Sequence, residues 1–172
     1  MKKITNTACI LFLSIISFAQ IKEAGSSEAS IKQFMFNKDT MRLLKNNNEQ
    51  EIKDLLKQYN NAIEKLNVSG TEKLFTTDSK IFESGGSEGN YAHYIEHHLI
   101  PELKEFKSFL FSNYKVEVEV DGKYAFATET YNYTIVEGKD NAEVKLKGVT
   151  TSVLKKVKGK WKIMISHNSA RK

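Results

Sequence analysis

The sequence predicts an α+β domain, and three patterns carry that prediction. Apolar residues between 52 and 66 recur at intervals of three and four, which is typical of an amphipathic helix over about 49–67. Apolar residues then alternate with charged ones over 114–121, which is the pattern of a half-buried strand. Asp121-Gly122 is a hairpin turn signal that separates this strand from further strand-like segments. Helices followed by a run of strands give the α+β class.

The remaining elements follow in chain order. A short strand over 80–84 turns at Gly85-Gly86, and a second long helix begins near Asn90 and is interrupted at Pro101. Three more strands are predicted near 123–136, 142–157 and 160–169. Long strands joined by short turns form a meander, and long strands twist. We therefore expect a strongly bent antiparallel sheet wrapped around the N-terminal helices.

The first 19 residues have the pattern of an export signal. Two lysines begin the segment, an apolar run of eleven residues follows from Ala8, and small residues stand before a cleavage point after Ala19. The run is too short for a bilayer, which needs about 20 apolar residues. We therefore expect an exported protein, periplasmic or secreted, with no stable membrane insertion after cleavage.

Loss of that segment changes the composition. The remaining chain has 153 of the 172 residues, and its net charge falls from +5 to +3 because two lysines leave. The one cysteine, Cys9, leaves as well, which excludes thiol catalysis and thiolate metal sites. Residues 20–48 are polar and predict a linker or a poorly ordered extension before a domain over 49–172.

Composition and motifs exclude other classes. With 40% hydrophobic and 27% charged residues the chain is globular in type, with no multi-span membrane pattern. Five lysines between 155 and 162 lack the stacking aromatic residues of a nucleic-acid surface, so no nucleic-acid partner is expected. The glycines at 85, 86 and 89 lack the Lys-Ser/Thr of a phosphate loop, so no nucleotide cofactor is indicated.

Polar residues occupy faces that the periodicity predicts to be buried. On a helical wheel over 91–103, His98 and Glu102 share the apolar side with Tyr91 and Tyr94, whereas His97 points outward.

The last strand repeats this feature. By alternation His167 shares its face with Trp161, Ile163 and Ile165 and is expected to point inward.

Three readings of these polar residues stay open. A His/His/Glu set is a sensible first shell for Zn²⁺ or another divalent metal. The same groups could act as a general base and its orienting partner. They could also be core residues whose hydrogen bonds are satisfied locally.

The motifs around these residues resemble the nuclear transport factor 2-like superfamily, also called SnoaL-like. Its exported bacterial members carry a Glu-x-Gly-x-x-Glu-Gly segment, a His-His-Leu-x-Pro-Glu helix and a Trp-(Arg/Lys)-Ile…His-x-Ser ending. The resemblance covers about residues 49–172, and the matching positions are Glu83, Glu88, His97, His98, Pro101, Glu102, Trp161, His167 and Ser169.

The resemblance implies a cone-shaped fold with a pocket, and a homodimer formed through the outer sheet face. Metal ligation is then expected from His98, Glu102 and His167, with His97 as a weaker ligand, and catalysis from the same groups or from Tyr91. The residues expected to contact a ligand are Glu83, Tyr91, Tyr94, His98, Glu102, Tyr131, Trp161 and His167.

Three functions follow. The first is binding of a small molecule or a metal ion in the pocket. The second is an isomerase, cyclase or hydrolase that uses His98 or Glu102 as its general base, with Tyr91 or Tyr131 as oxyanion donor. The third is docking of a partner chain on the outer sheet face.

Overall fold

The computed structural model describes the backbone of residues 20–172 and the side chains from residue 27 onward. The predicted export signal, residues 1–19, lies outside the described residues. No helix in the described part of the chain is long and apolar enough to cross a membrane.

The first helix, α1, spans Gln20–Glu64, and the chain divides into two compact units between Leu43 and Leu44. The segment 20–48, which the sequence indicated as a linker or a poorly ordered extension, is part of this helix. It contains no proline and one glycine, and pairs such as Glu28–Lys32, 2.9 Å apart, lie one helical turn from each other. Every described side chain from 27 to 47 is exposed.

The second unit, Leu44–Lys172, holds the C-terminal part of α1 and the other described elements. In chain order they are a 3₁₀ turn Thr71–Leu74, β1 Phe75–Glu83, β2 Gly86–Ser87, α2 Tyr91–Tyr94, a π-helical turn Ile95–Leu99, α3 Ile100–Glu105, β3 Phe106–Asp121, β4 Tyr124–Glu137, β5 Glu143–Val157 and β6 Lys160–Arg171.

The strands in the described residues form one six-stranded sheet with the order β2-β1-β6-β5-β4-β3. β3 to β6 make the predicted antiparallel meander, and the sheet is curved and unclosed. β1 joins the other side of β6 in parallel, so the sheet is mixed at this edge. The prediction of an α+β fold is confirmed.

The core of this unit lies between the C-terminal part of α1, the second helical segment (α2, the π-helical turn and α3, residues 91–105) and the inner face of the sheet. Alternation assigns the two faces: Ala125 and Ala127 of β4 are buried, whereas Phe126 between them is 52% exposed. The buried apolar residues are Ile52, Leu56, Val68, Leu74, Phe75, Ile81, Tyr91, Tyr94, Ile95, Leu99, Leu103, Ala125, Ala127, Leu154, Trp161 and Ile163.

A β-bulge changes the face of the last strand. Val153 of β5 pairs with Ile165 but its neighbour Leu154 pairs with Ile163, so Met164 is an extra residue in β6. Before the bulge Ile163 points into the core, and after it the inward positions are even-numbered, beginning with Ser166. Odd-numbered residues therefore point inward at the start of β6, and even-numbered residues point inward at its end.

The second helical segment continues through Pro101. The Ile100 N–H donates to the Ile95 carbonyl, five residues back, and Pro101 lies in the first turn of α3, where proline is tolerated. The π-helical turn thus accommodates the proline without ending the helix.

Candidate functional site

Two adjoining cavities lie between the helices and the sheet of the second unit. The outer cavity has a volume of about 220 Å³ and an aromatic wall contributed by α2 and by strands β3 and β4. Its lining residues are Ile63, Glu83, Tyr94, Leu99, Glu102, Leu103, Phe106, Phe109, Phe111, Tyr131, Tyr133, Ile135, Asn168, Ser169 and Ala170.

The inner cavity is smaller, about 60 Å³, and lies deeper against the sheet. Ile63, Tyr94, Phe111, Tyr131 and Asn168 line both cavities and so lie at the boundary between them. The other residues of the inner cavity are Leu56, Tyr59, Asn60, Phe75, Ile81, Glu129, Thr150, Ser152, Ile163 and Ser166.

One imidazole and three carboxylates meet beside the outer cavity. His98 Nε2 lies 3.2 Å from Glu102 Oε1 and 3.4 Å from Glu83 Oε2, and His98 Nδ1 lies 3.5 Å from Glu88 Oε2. The His98 ring stacks on the Tyr94 ring, with centroids 5.3 Å apart. We call these four residues, His98 with Glu83, Glu88 and Glu102, the His98 cluster.

The local sequence explains how the cluster forms. The chain reverses direction at Ser84 and Gly85, which both have positive φ, and the Glu88 N–H then donates a hydrogen bond to the Ile81 carbonyl at 2.8 Å. This brings Glu83 and Glu88 to the same end of β1. Asn90 then caps α2 by accepting from the His93 N–H at 2.9 Å, which starts the helix that carries His98.

Burial and neighbouring charge perturb this cluster. Burial raises the pKa of the Glu102 carboxyl, and Glu83 and Glu88 raise it further, while His98 lowers it. Burial and the Glu83 carboxylate also raise the pKa of Tyr94 far above its ordinary value. The Tyr94 hydroxyl therefore keeps its proton and donates to Glu83 Oε2 at 3.0 Å.

A second carboxyl, Glu129 of β4, lies in the inner cavity and is only 4% exposed. Its Oε1 accepts from Asn60 Nδ2 of α1 at 2.9 Å and from the Tyr114 hydroxyl of β3 at 2.8 Å. Burial raises the pKa of Glu129, and the two donors lower it in part. A bulge in β3 at Asn113 and Tyr114 turns Tyr114 inward to make this contact.

Several predicted site residues do line the cavities. Glu83, Glu102, Tyr94 and Tyr131 contribute to the outer cavity, and the last two also line the inner one. His98 reaches the site through its contacts with Glu83 and Glu102. It is half-buried, as its side chain is 33% exposed.

Two predicted residues are core residues instead. Tyr91 is 2% exposed, stacks on Phe75 with centroids 3.6 Å apart and pairs its hydroxyl with Thr71, so it lines neither cavity. Trp161 is also buried, and its indole N–H donates to Asn48 Oδ1 at 3.2 Å. Neither of the two cavities supports the expectation that these two side chains contact a ligand, because local packing uses both.

The inward placement of His167 is wrong, because the bulge at Met164 reverses the alternation. His167 is exposed on the outer sheet face, beside Phe82 of β1, with ring centroids 6.5 Å apart. Asn168 takes the inward position and lines both cavities. His97 is exposed, as the helical wheel predicted, and lies beside Glu96.

The arrangement does not fit a metal ion. In the part of the chain that the structure describes, no group of three or more His, Cys, Asp or Glu side chains has the geometry to hold one. His167 lies on the opposite sheet face from His98 and Glu102, and the imidazole and carboxylates of the His98 cluster pair with one another. The predicted Zn²⁺ site on His98, Glu102 and His167, with His97 as an additional ligand, is therefore not formed.

The sequence analysis missed Glu129 and Ser152, and only the position of Glu129 had a visible signal. Glu129 lies on the same face of β4 as Ala125 and Ala127, because strand residues alternate between the two faces. Once the alanines are assigned to the inner face, Glu129 is predicted to be buried. The sequence did not decide this face, because bulky residues occupy even-numbered positions of β4, at 124 and 126, as well as odd-numbered ones, at 131 and 133. Three consecutive apolar residues at 163–165 were the visible sign of the bulge in β6.

The SnoaL-like domain family matches residues 52–171, which is most of the second unit. The chain belongs to the SnoaL-like domain family. A comparison with curated proteins gives no significant match. The family match over residues 52–171 confirms the fold that the sequence motifs implied.

Solved structures show the same fold at low sequence identity. A nuclear transport factor 2-like superfamily protein from Salmonella enterica is 20% identical, with a TM-score of 0.65 over 72% of this chain and 90% of that one. A protein described as a putative dehydratase of the same family, from Streptomyces avermitilis, is 14% identical, with a TM-score of 0.66 over 74% and 98%. A hexachlorocyclohexane dehydrochlorinase from Novosphingobium barchaimii is 14% identical, with a TM-score of 0.63 over 73% and 87%.

The buried Glu129 carboxyl gives a pH-dependent stability. Its pKa is raised on folding, so its contribution to stability is complete below the unfolded pKa of about 4.3 and is lost as pH rises through the folded value. As the pH rises from 4 to 7, the free energy of unfolding of the wild type should fall relative to that of Glu129→Gln. Urea unfolding measures this difference. Glu117→Gln, an exposed change on the outer face of β3, is the matched control and should give a pH-independent difference.

Proposed function

We propose that this domain binds a small organic molecule in the outer and inner cavities. The observation that carries the proposal is the outer cavity itself, a space of about 220 Å³ whose wall is mainly aromatic and apolar side chains. Such a concave apolar site with a few convergent polar groups is the usual form of a ligand pocket.

The wall is built for contact with an apolar ligand. The Phe109 ring stacks on Tyr133 with centroids 5.1 Å apart, and the Phe111 ring meets Tyr131 edge-on at 4.9 Å. These contacts fix the rings and leave part of each facing the cavity. A site preformed in this way loses little conformational entropy when it binds a ligand.

The His98 cluster would orient the ligand. Glu83 and Glu102 line the outer cavity, and His98 and the Tyr94 hydroxyl hold them in place. The polar groups therefore stand at one side of an otherwise apolar space, where they would select one end of a ligand.

The fold comparison supports a small organic ligand. One structural neighbour is described as a dehydrochlorinase of hexachlorocyclohexane and another as a putative dehydratase. Because their identity to this chain is 14%, they support the class of ligand and not its identity.

Filling the outer cavity tests the proposal. We expect wild-type protein to bind 2-phenylethanol, a neutral probe of suitable size, and Ile135→Trp to weaken this binding by about tenfold or more because the indole takes up ligand volume. Isothermal titration calorimetry measures the change. Val136→Trp is the matched control, because the next residue of β4 points to the other face. Absence of saturable binding to the wild type would contradict the proposal.

A second candidate function is acid–base catalysis at the His98 cluster. Glu102 lies 3.2 Å from the His98 imidazole at the wall of the outer cavity, and burial raises its pKa, which makes it a stronger base than an exposed carboxylate. Glu102 would abstract a proton from a bound substrate, and His98 would stabilise the carboxylate before the transfer.

Proton exchange distinguishes catalysis from binding. A catalytic domain should incorporate deuterium next to the carbonyl of phenylacetone in D₂O, as followed by mass spectrometry. Glu102→Gln should lower this rate by about 100-fold, the usual contribution of a general base. The control Glu96→Gln changes an exposed carboxylate of the same helical segment, outside the His98 cluster, and should retain most of the rate. Exchange no faster than in buffer would exclude this activity towards the probe.

A further inference from the structure

A buried hydroxyl without a partner marks the inner cavity. Ser152 of β5 is 4% exposed, and its Oγ has no hydrogen-bond partner among the described residues. It lines the inner cavity together with Glu129. A buried polar group without a partner destabilises the protein, so the Ser152 hydroxyl is available to bond with a group that enters the cavity.

Glu129 offers a second acceptor in the same space. Both donors that reach it, Asn60 and Tyr114, bond to Oε1, which leaves Oε2 for a further donor. Glu129 pairs across the strands with Thr150, and Ser152 is two residues further along β5 on the same face. The carboxylate and the hydroxyl therefore border one small polar space.

The charged side chains that line the two cavities are all acidic. Glu83 and Glu102 line the outer cavity and Glu129 lines the inner one, whereas no Lys, Arg or His is among the described residues that line either. Among the described residues, His98 is the one basic side chain that contacts these cavity carboxylates. It contacts Glu83 and Glu102 but not Glu129. An anionic ligand would be repelled, and a cation would be attracted.

The aromatic wall favours a cation as well. The rings of Tyr94, Phe111 and Tyr131 line both cavities, so a group that passes from one to the other contacts them. The faces of aromatic rings attract ammonium groups. An ammonium also needs a carboxylate when it leaves water, because an unpaired charge in an apolar space is costly.

We propose that the ligand of this domain is a small organic amine, whose ammonium enters the inner cavity and donates to Glu129 Oε2 and Ser152 Oγ while its apolar body fills the outer cavity. This assignment rests on the proposed binding function and adds the ligand class to it. The volumes agree with it, since about 60 Å³ suits a headgroup of a few atoms and about 220 Å³ suits a single ring.

Three probes of the same shape test the assignment, with calorimetry on the full chain at pH 7. They are 2-phenylethylamine, 2-phenylethanol and phenylacetate. We expect the amine to bind about tenfold more tightly than the alcohol, because a charge-assisted hydrogen bond is stronger than a neutral one. Phenylacetate should bind more weakly than either.

Two variants locate the ammonium. Glu129→Gln should bring the amine to the affinity of the alcohol, and Ser152→Ala should weaken amine binding about threefold through the loss of one hydrogen bond. Glu117→Gln on the outer sheet face should change neither. Circular dichroism checks that each variant is folded. If Glu129→Gln is not folded, Ser152→Ala decides, and an unchanged amine affinity in that variant would overturn the assignment.

The outcomes separate the two proposals. Equal binding of amine and alcohol, or tighter binding of phenylacetate, would overturn the amine assignment and leave the binding function standing. Failure of all three probes to bind would overturn both.

Discussion

The rest of the domain is arranged around one buried carboxylate. A carboxyl inside a sheet costs several kcal/mol unless donors surround it. Glu129 has two donors, and each comes from a different element: Asn60 from α1 and Tyr114 from β3. These bonds fix how α1 lies against the inner sheet face, and they require the bulge that turns Tyr114 inward. The inner cavity is the space left beside this group.

Two bulges decide which side chains reach the cavities. The bulge in β3 brings Tyr114 to Glu129, and the bulge at Met164 in β6 exchanges His167 for Asn168. Each adds one residue to a strand and so reverses the alternation beyond it. The polar character of the pocket therefore depends on the register as much as on residue type.

This explains how much the sequence could predict. Helical spacing over 52–66 and alternation over 114–121 reflect the burial of many residues at once, so the elements, the meander and the α+β class were predictable. The site depends on single register changes that add little to the hydrophobic pattern. His98 and Glu102 were found because a helix carries them, and the π-helical turn kept both beside Glu83. Glu129 was missed and His167 was placed on the wrong face, because strand faces are assigned by parity alone.

The central claim is that the space between helices and sheet holds a ligand. A crystal structure of the protein with 2-phenylethylamine tests it most directly. The account predicts the phenyl ring in the outer cavity against Phe109 and Tyr133, with the nitrogen about 3 Å from Glu129 and Ser152. Electron density for the amine on the outer sheet face, with both cavities filled by ordered water, would contradict it.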